Sequence, residues 1–329
     1  MVALAALGAA LLAVAAPEPR ALDARRFAFA PRRRLAAIGG GAATGLALAL
    51  AVTTPPLRPP PGTVWMVALD VGQGDALALG FHDGWWLVDA GPAAPAYDAG
   101  RRVVLPFLRW AGVRRVGRLV LTHDDLDHTG GADAIREGVR VRRTLAPAAL
   151  PHRAGPARRF AAREAAAGDT LRTGPLVTVL WPPRGADVRQ DNQASLVLMV
   201  GEGAGRALLA ADADTVVERR LPPAAVRDLA VLKVGHHGSR TSSGADFLAV
   251  ARPRVALISC GRNDRFGHPH GEVMSRLAAA GAEVRRTDRE GTVWLSLTAA
   301  GARPLDWRRG EPERAARARE PVAPPRPRW

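Results

Sequence analysis

One stretch of this chain, Leu121-Thr-His-Asp-Asp-Leu-Asp-His-Thr-Gly-Gly131, holds a dense set of groups able to do chemistry. It places His123, Asp125, Asp127 and His128 within six positions, just after the apolar run Arg118-Leu-Val-Leu121 and before a Gly-Gly pair that opens a helix-like segment. Two imidazoles and three carboxylates, Asp124 included, would repel or titrate into one another at a strand end unless a cation lay between them. A metal site is the economical explanation. The alternative is a polar loop in which Asp127 caps the following helix.

The elements that would position this stretch follow from apolar runs and turn residues. Val116 to Thr122 reads as the strand that delivers it. Upstream, Val64 to Leu69 is a buried strand, Asp70-Val-Gly-Gln-Gly-Asp75 a glycine-punctuated turn into a strand from Ala76 to Gly80, and Trp85 to Val88 a third strand ended by Asp89-Ala-Gly91. Val104 to Ala111 reads as a helix with Pro106 in its first turn. Ala132 to Glu137 reads as a further helix and Val141 to Leu145 as a short strand. The basic, alanine-rich segment Pro151 to Ala167, with Arg153, Arg158, Arg159 and Arg163, reads as a solvated helix face, or as a contact to a phosphate backbone. Strands then recur at Leu176 to Trp181, Ser195 to Val200 and Ala207 to Ala211, the last running into Asp212. This alternation implies an α/β (α+β) fold of two sheets sandwiched between helices, with site residues at strand ends.

The chain has 329 residues, 46 basic against 31 acidic, and a net charge of +15; Lys233 is its only lysine. The arginine and alanine bias reads as genomic base composition rather than a functional choice, but the resulting field favours polyanions or an anionic membrane face. The single cysteine, Cys260, excludes an internal disulfide and, following an apolar run, reads as a small buried residue rather than a nucleophile. Residues 1 to 16 are uncharged but short for a span of about 20 residues, and they lack the charged start of a signal peptide. Leu35 to Pro55 is long enough to cross a bilayer and follows Arg32-Arg33-Arg34; its glycines are tolerated in membrane helices. One or two N-terminal transmembrane helices are therefore expected within residues 1–55, with a span at 35–54. The alternative is a cleaved or unstructured leader. Positive charge between the two apolar stretches would stay cytoplasmic and leave everything after Pro55 outside. Residues 56–62 form a stiff proline-rich spacer, residues 63–307 the globular domain, and residues 308–329 a disordered basic tail.

His-x-Asp-x-Asp-His resembles the His-x-His-x-Asp-His signature of the metallo-β-lactamase superfamily, with Asp125 in place of the second histidine. Further fragments narrow the resemblance: Leu69-Asp-Val-Gly-Gln-Gly-Asp75, Leu87-Val-Asp-Ala-Gly91, Asn192 to Leu198, Lys233-Val-Gly-His-His-Gly-Ser-Arg-Thr-Ser242, Gly267-His-Pro-His270 and Arg286 to Val293. Together they are similar to the C-terminal metallo-β-lactamase-like domain of the ComEC family of DNA-internalisation competence channels, over roughly Val64 to Leu297.

That resemblance implies an αββα sandwich binding two divalent metal ions. His123 and Asp125 would hold the first ion, Asp127 and His128 the second, and Asp212 would bridge them. His268 would be the last ligand of the second ion; His236 and His237 would complete the ligand set or act on the scissile phosphate, His237 as a catalytic group beside Asp127. The third histidine of the first metal has no clear counterpart, and this oxygen-rich site suits Mn²⁺ as well as Zn²⁺. Gln73, Asp75, Asn192, Ser195 and His270 fall where substrate would be contacted. Ser239, Thr241 and Ser242 are phosphate donors or simply turn residues. The implied reaction is metal-assisted hydrolysis of DNA, single- or double-stranded, on the extracytoplasmic face of the cell membrane, beside a competence channel supplied by a partner. The rival readings are a stand-alone hydrolase of a small phosphodiester, lactone or β-lactam, and a non-catalytic DNA-docking module of a membrane transporter.

Overall fold

The computed structural model describes residues 56–148, 159–188, 190–262 and 264–317. A compact unit runs from Leu57 onward. In its first strand, Val64–Ala68, alternate side chains go to opposite faces. Val64, Met66 and Ala68 enter a core between two sheets, while Trp65 and Val67 enter a second core on the outer face. Burial on both faces explains why the strand is an unbroken apolar run.

The first sheet runs, in spatial order, Gly301–Pro304, Val293–Thr298, Val64–Ala68, Leu77–Phe81, Gly84–Val88, Arg115–Val120, Thr144–Pro147 and Arg163–Ala165, with Arg140–Val141 also beside Arg115–Val120. The second runs Thr170–Thr173, Leu176–Trp181, Val197–Val200, Ala207–Leu209, Val231–Lys233, Val255–Ile258 and Glu283–Arg286. Helices Leu105–Trp110 and Ala132–Gly138 cover the outer face of the first sheet, and Ala245–Ala251 and Gly271–Ala279 that of the second. The sandwich is thus αββα, as the sequence implied.

In each sheet a set of neighbouring strands is parallel: Gly84–Val88 with Arg115–Val120, and Ala207–Leu209 with Val231–Lys233 and Val255–Ile258. Parallel strands end together, so the residues after them, Asp89, Thr122, Asp212, His236 and Ser259, collect along one edge. There the Leu196 amide donates to the Thr122 carbonyl at 2.8 Å, joining the two sheets at the point where the site forms.

The Gly130-Gly131 pair serves close packing. A Cβ on Gly130 would lie 2.2 Å from the Ala93 nitrogen, and one on Gly131 would lie 2.4 Å from the Ala90 carbonyl oxygen. Both opposing atoms are backbone, so neither can turn aside. Gly131→Ala is expected to cost about 2–3 kcal/mol, a fall in Tm of roughly 5–10 °C for a domain of this size. An unchanged melting curve would show that the 90–100 segment yields freely.

Three expectations are corrected. The Pro151 to Ala167 segment is not a helix face throughout: Arg163–Ala165 is a strand paired in parallel with Thr144–Pro147, and the buried Ala165 joins the core between the sheets. An open sheet edge overrides alanine's helix preference. The first part of the tail is folded: after a turn at Trp307–Arg309, Glu311–Arg317 is a helix whose Ala315 and Ala316 pack on the outer core with Trp307, and residues 318–329 lie outside the described residues. The Val141 to Leu145 strand is two pieces, Arg140–Val141 and Thr144–Pro147. No helix among the described residues is long and apolar enough to cross a membrane; residues 1–55 lie outside them.

Candidate metal centre

The strand Arg115–Val120 delivers His123, after which Asp125 stands at the N-terminus of the short helix Leu126–Thr129. Asp212 follows Ala211, which is left-handed at φ 48°, and His236 and His237 are successive left-handed residues at φ 47° and 53°. This double bend after Val231–Lys233 turns the two imidazoles apart, with ring centroids 6.2 Å from each other. Non-glycine residues in this conformation cost energy and persist where surrounding packing enforces them.

The Asp212 carboxylate divides the cluster. Its Oδ1 lies 3.1 Å from His128 Nε2 and 3.6 Å from His237 Nε2; its Oδ2 lies 3.8 Å from His123 Nε2 and 3.7 Å from His236 Nε2. Asp127 Oδ2 is 3.2 Å from His237 Nε2, and Asp125 Oδ2 is 3.4 Å from His123 Nε2. Two groups result, each with two imidazoles, one oxygen of Asp212 and one further carboxylate. His123 Nε2 and Asp212 Oδ1 are buried without a hydrogen-bond partner, which is costly for polar atoms that serve no ligand.

The far side of each imidazole is engaged. Asp89, fully buried and left-handed at φ 61°, accepts from the Thr122 amide at 2.8 Å, the Thr122 hydroxyl at 2.7 Å and His128 Nδ1 at 2.8 Å. The Thr122 oxygen is in turn 3.1 Å from His123 Nδ1. One carboxylate thereby holds the protons of two imidazoles on Nδ1 and leaves their Nε2 lone pairs facing inward, the outer support typical of ligating histidines. His237 Nδ1 donates to the Ser259 carbonyl at 3.0 Å. His236 Nδ1 faces Asn192 Nδ2 at 3.3 Å and Thr241 Oγ1 at 3.5 Å.

Burial alone would raise the Asp212 carboxyl, yet His128 and His237 hold it well below the ordinary range. Burial would likewise lower both imidazoles, but Asp212 and Asp89 keep His128 well above its ordinary value, and Asp212 and Asp75 bring His237 up to about 9. So much negative charge is gathered here that a cation, proton or metal, is held at neutral pH.

Asp75, His128, Asp212 and His237 present atoms close enough together to hold a metal. Asp75, however, is ion-paired with Lys233 Nζ, and its other oxygen lies 3.4 Å from Nδ1 of His237, on the side away from Asp212. It braces that ring from behind. At 1% exposure it is closed off from solvent, where the sequence leads us to expect a group facing substrate.

Several other expectations change. His237, expected as a catalytic group, lies within the group around Asp212 Oδ1. His268, expected as a ligand, stands outside, its Nδ1 3.2 Å from Gln73 Nε2 and 3.5 Å from Asp264 Oδ2. Gln73 accepts from the Gly261 amide at 3.1 Å and acts as a clamp. Ser195 and Ser242 are fully buried: the first accepts from the Asp212 amide, the second donates to the carbonyls of Gly235 and Ser239. Ser239 is also buried, its hydroxyl 3.1 Å from that of Thr241. Asn192, Thr241 and His270 remain solvent-accessible around the site, while the His268 side chain is only 8% exposed. His123, His128, Asp212 and His237 form a buried floor, while the side chains of Asp125, Asp127 and His236 are 44%, 35% and 27% exposed, which marks the direction of approach.

The loop Ser239–Gly244 is held from outside by Arg276, which donates to the Ser243 and Ser242 carbonyls, and by Glu218, which accepts from the Ser243 and Gly244 amides. Burial pushes the Glu218 carboxyl up to about 7, against the pull of those amides and Arg276. A raised carboxyl contributes stability that is complete below its ordinary value of 4.5 and is lost as pH rises through 7. Glu218→Gln is expected to flatten this loss, on the order of 3 kcal/mol, in urea midpoints measured from pH 4.5 to 8. An unaltered slope would assign the dependence to other groups.

Residues 69–262 match the metallo-beta-lactamase superfamily. The chain is 31% identical over 249 residues to ComE operon protein 3 of Bacillus subtilis, covering 68% of this chain and 32% of that protein. It is 33% identical over 234 residues to Recombination protein 2 of Haemophilus influenzae, covering 71% and 29%. It is 32% identical over 243 residues to competence protein ComA of Neisseria gonorrhoeae, covering 73% and 33%. The matched region thus spans about a third of the length of these relatives. With this fold and this arrangement of histidines and carboxylates, the chain belongs to the metallo-β-lactamase superfamily as a metallo-β-lactamase domain of the ComEC family.

Proposed function

We propose that this domain is a metal-dependent phosphodiesterase that cuts DNA during uptake, on the extracytoplasmic face of the membrane, beside a channel supplied by a partner. The observation that carries this reading is the division of the site by Asp212. His123, Asp125, His236 and Oδ2 of Asp212 would hold one divalent ion; Asp127, His128, His237 and Oδ1 of Asp212 would hold the other. Two nitrogens and two oxygens in each half fit Zn²⁺ or Mn²⁺, and the unpartnered His123 Nε2 and Asp212 Oδ1 are what such ions would satisfy. Bound ions would supply Lewis acidity and a water acidic enough to be deprotonated near neutral pH.

The remaining work falls to the protein. Asp127, on the exposed side, accepts a hydrogen bond from the attacking water and orients it towards phosphorus. Asp89 keeps His128, and the Ser259 carbonyl with the Asp75 charge behind it keeps His237, in the tautomers that face inward. Thr241 and His268, beside His236, donate to the non-bridging phosphate oxygens as charge builds on them. The net charge of +15 draws a polyanion towards the domain. The outward placement rests on Arg32-Arg33-Arg34 before the apolar stretch from Leu35.

The test is cleavage of end-labelled single- and double-stranded DNA by the full chain, stripped of metal and reloaded with Mn²⁺ or Zn²⁺, beside Asp127→Ala. Metal-dependent cleavage that Asp127→Ala abolishes supports the reading. Intact DNA together with hydrolysis of a lactone or β-lactam overturns it.

A further inference from the structure

Among the described residues three large apolar side chains are strongly exposed: Trp110 at 49%, Leu126 at 70% and Phe266 at 53%. Isolated exposed apolar residues are ordinary, but two of these three belong to the site. Leu126 stands between Asp125 and Asp127 on the exposed lip. Phe266 stacks on His268 with ring centroids 5.7 Å apart and planes inclined by 24°, and His268 is itself 5.7 Å from the His236 ring. A row of rings therefore runs from solvent to the metal centre.

The row is built into the loop. Asp264, its side chain 2% exposed, accepts with one oxygen from the backbone amides of both Phe266 and His268, each at 3.1 Å. The backbone that carries Phe266 is thus held by Asp264, and the ring itself by its stacking on His268. The Arg265 guanidinium lies over it at 4.6 Å. An exposed cation on an aromatic face is held by only about 0.5–1 kcal/mol and is readily exchanged for another flat group.

We propose that Phe266 is the stacking platform for a nucleobase next to the scissile phosphodiester, with Leu126 giving apolar contact to the adjoining sugar. This rests on the phosphodiesterase reading and specifies its substrate as a base-bearing strand. The base takes the place of the Arg265 guanidinium on the ring, and Arg265 turns to a flanking phosphate. Every base offers a flat face, so the platform accepts all sequences. It also requires an unstacked base, so single-stranded DNA is the form engaged. A lactam or small polar ester would leave both apolar surfaces in water.

The experiment compares two single-stranded oligonucleotides on the metal-loaded full chain, one with ordinary bases and one with tetrahydrofuran abasic residues throughout. The readout is the ratio of their kcat/KM values. For the wild-type chain the ratio is expected to be about tenfold or more, carried mainly by KM. Phe266→Ala should bring it close to one, and Phe266→Trp should restore it. A ratio near one in the wild-type chain, or an undiminished ratio in Phe266→Ala, overturns the proposal even if the variant is less active on both strands. If the wild-type chain cuts neither oligonucleotide, the phosphodiesterase reading itself fails and takes this inference with it.

Discussion

If the domain is the two-ion phosphodiesterase proposed above, Asp212→Ala is expected to reduce tightly bound divalent metal from about two ions per chain to fewer than one, and to lower turnover on DNA by ~10³-fold or more, the several kcal/mol that metal ions contribute to such a transition state. Asp212 is unlike the other donors because each of its oxygens faces a different pair of imidazoles, so its loss is felt in both halves. Replacing Asp127 or Asp125, each confined to one half, should remove one ion and leave the other. Asp89→Ala should leave both ions bound with ~10–100-fold weaker affinity. Metal analysis of the purified chains, with far-ultraviolet dichroism to establish folding, separates these outcomes. Metal retained at two ions in a folded Asp212→Ala chain would exclude the bridging role. The same carboxylate sets a pH dependence. His128 is held well above its ordinary value and His237 at about 9, so a metal must displace protons from both at neutral pH. Affinity should weaken steadily as pH falls below 9, with protons released on binding. Titration calorimetry in two buffers of different ionisation enthalpy measures that release, and equal heats in both would contradict it.

The clustering of His123, Asp125, Asp127 and His128 around one candidate site was legible because its chemistry is local: they are close in sequence, and any fold that places them at a strand end must deal with their charge. Apolar runs likewise marked the strands, since buried parallel strands have no polar face to confuse their period. Illegible was everything that depends on which way a side chain turns. Ser195 follows Asp191-Asn192 and Ser242 follows His236-His237 in the sequence, but both hydroxyls point into the protein, where they satisfy the Asp212 amide and a tight turn. Which of the two roles open to His237 its geometry favours was not legible either, because a double left-handed bend, not spacing, aims it at Asp212, while His268 turns to Gln73. Asp89 was passed over since Asp-Ala-Gly is common turn grammar; its role as acceptor for Thr122 and His128 appears only once Gly84–Val88 and Arg115–Val120 are paired. Lys233 did leave a signal. It is the only lysine among 46 basic residues, and it interrupts an apolar strand.

That lysine carries the largest expected effect on stability. Lys233 and Asp75 are each 1% exposed and form an ion pair beneath His237. Lys233→Met should destabilise the metal-free chain by about 3–5 kcal/mol, because it strands a carboxylate in the core with only the imidazoles of His237, 3.4 Å away, and His128 to compensate it. Lys233→Arg should rescue little, since a planar guanidinium does not fit a space shaped around an ammonium. Removing both charges, Asp75→Leu with Lys233→Met, should recover most of the loss, as an apolar pair commonly replaces a buried ion pair without penalty. Acid provides an independent check. Burial would raise the Asp75 carboxyl, but Lys233 and His237 hold it far below its ordinary value of 3.8. Stability from such a group is present above that value and is lost as pH falls below about 4, a loss that the double variant should lack. Urea midpoints at pH 7 and pH 3 test both statements, and a Lys233→Met chain as stable as wild type would refute them. The double variant also separates stability from ligand support: with Asp75 gone nothing charged braces His237, so metal affinity in that half should stay ~10–100-fold down even where the fold has recovered. Full recovery of affinity would mean that the Ser259 carbonyl alone is enough to aim His237 at the metal centre.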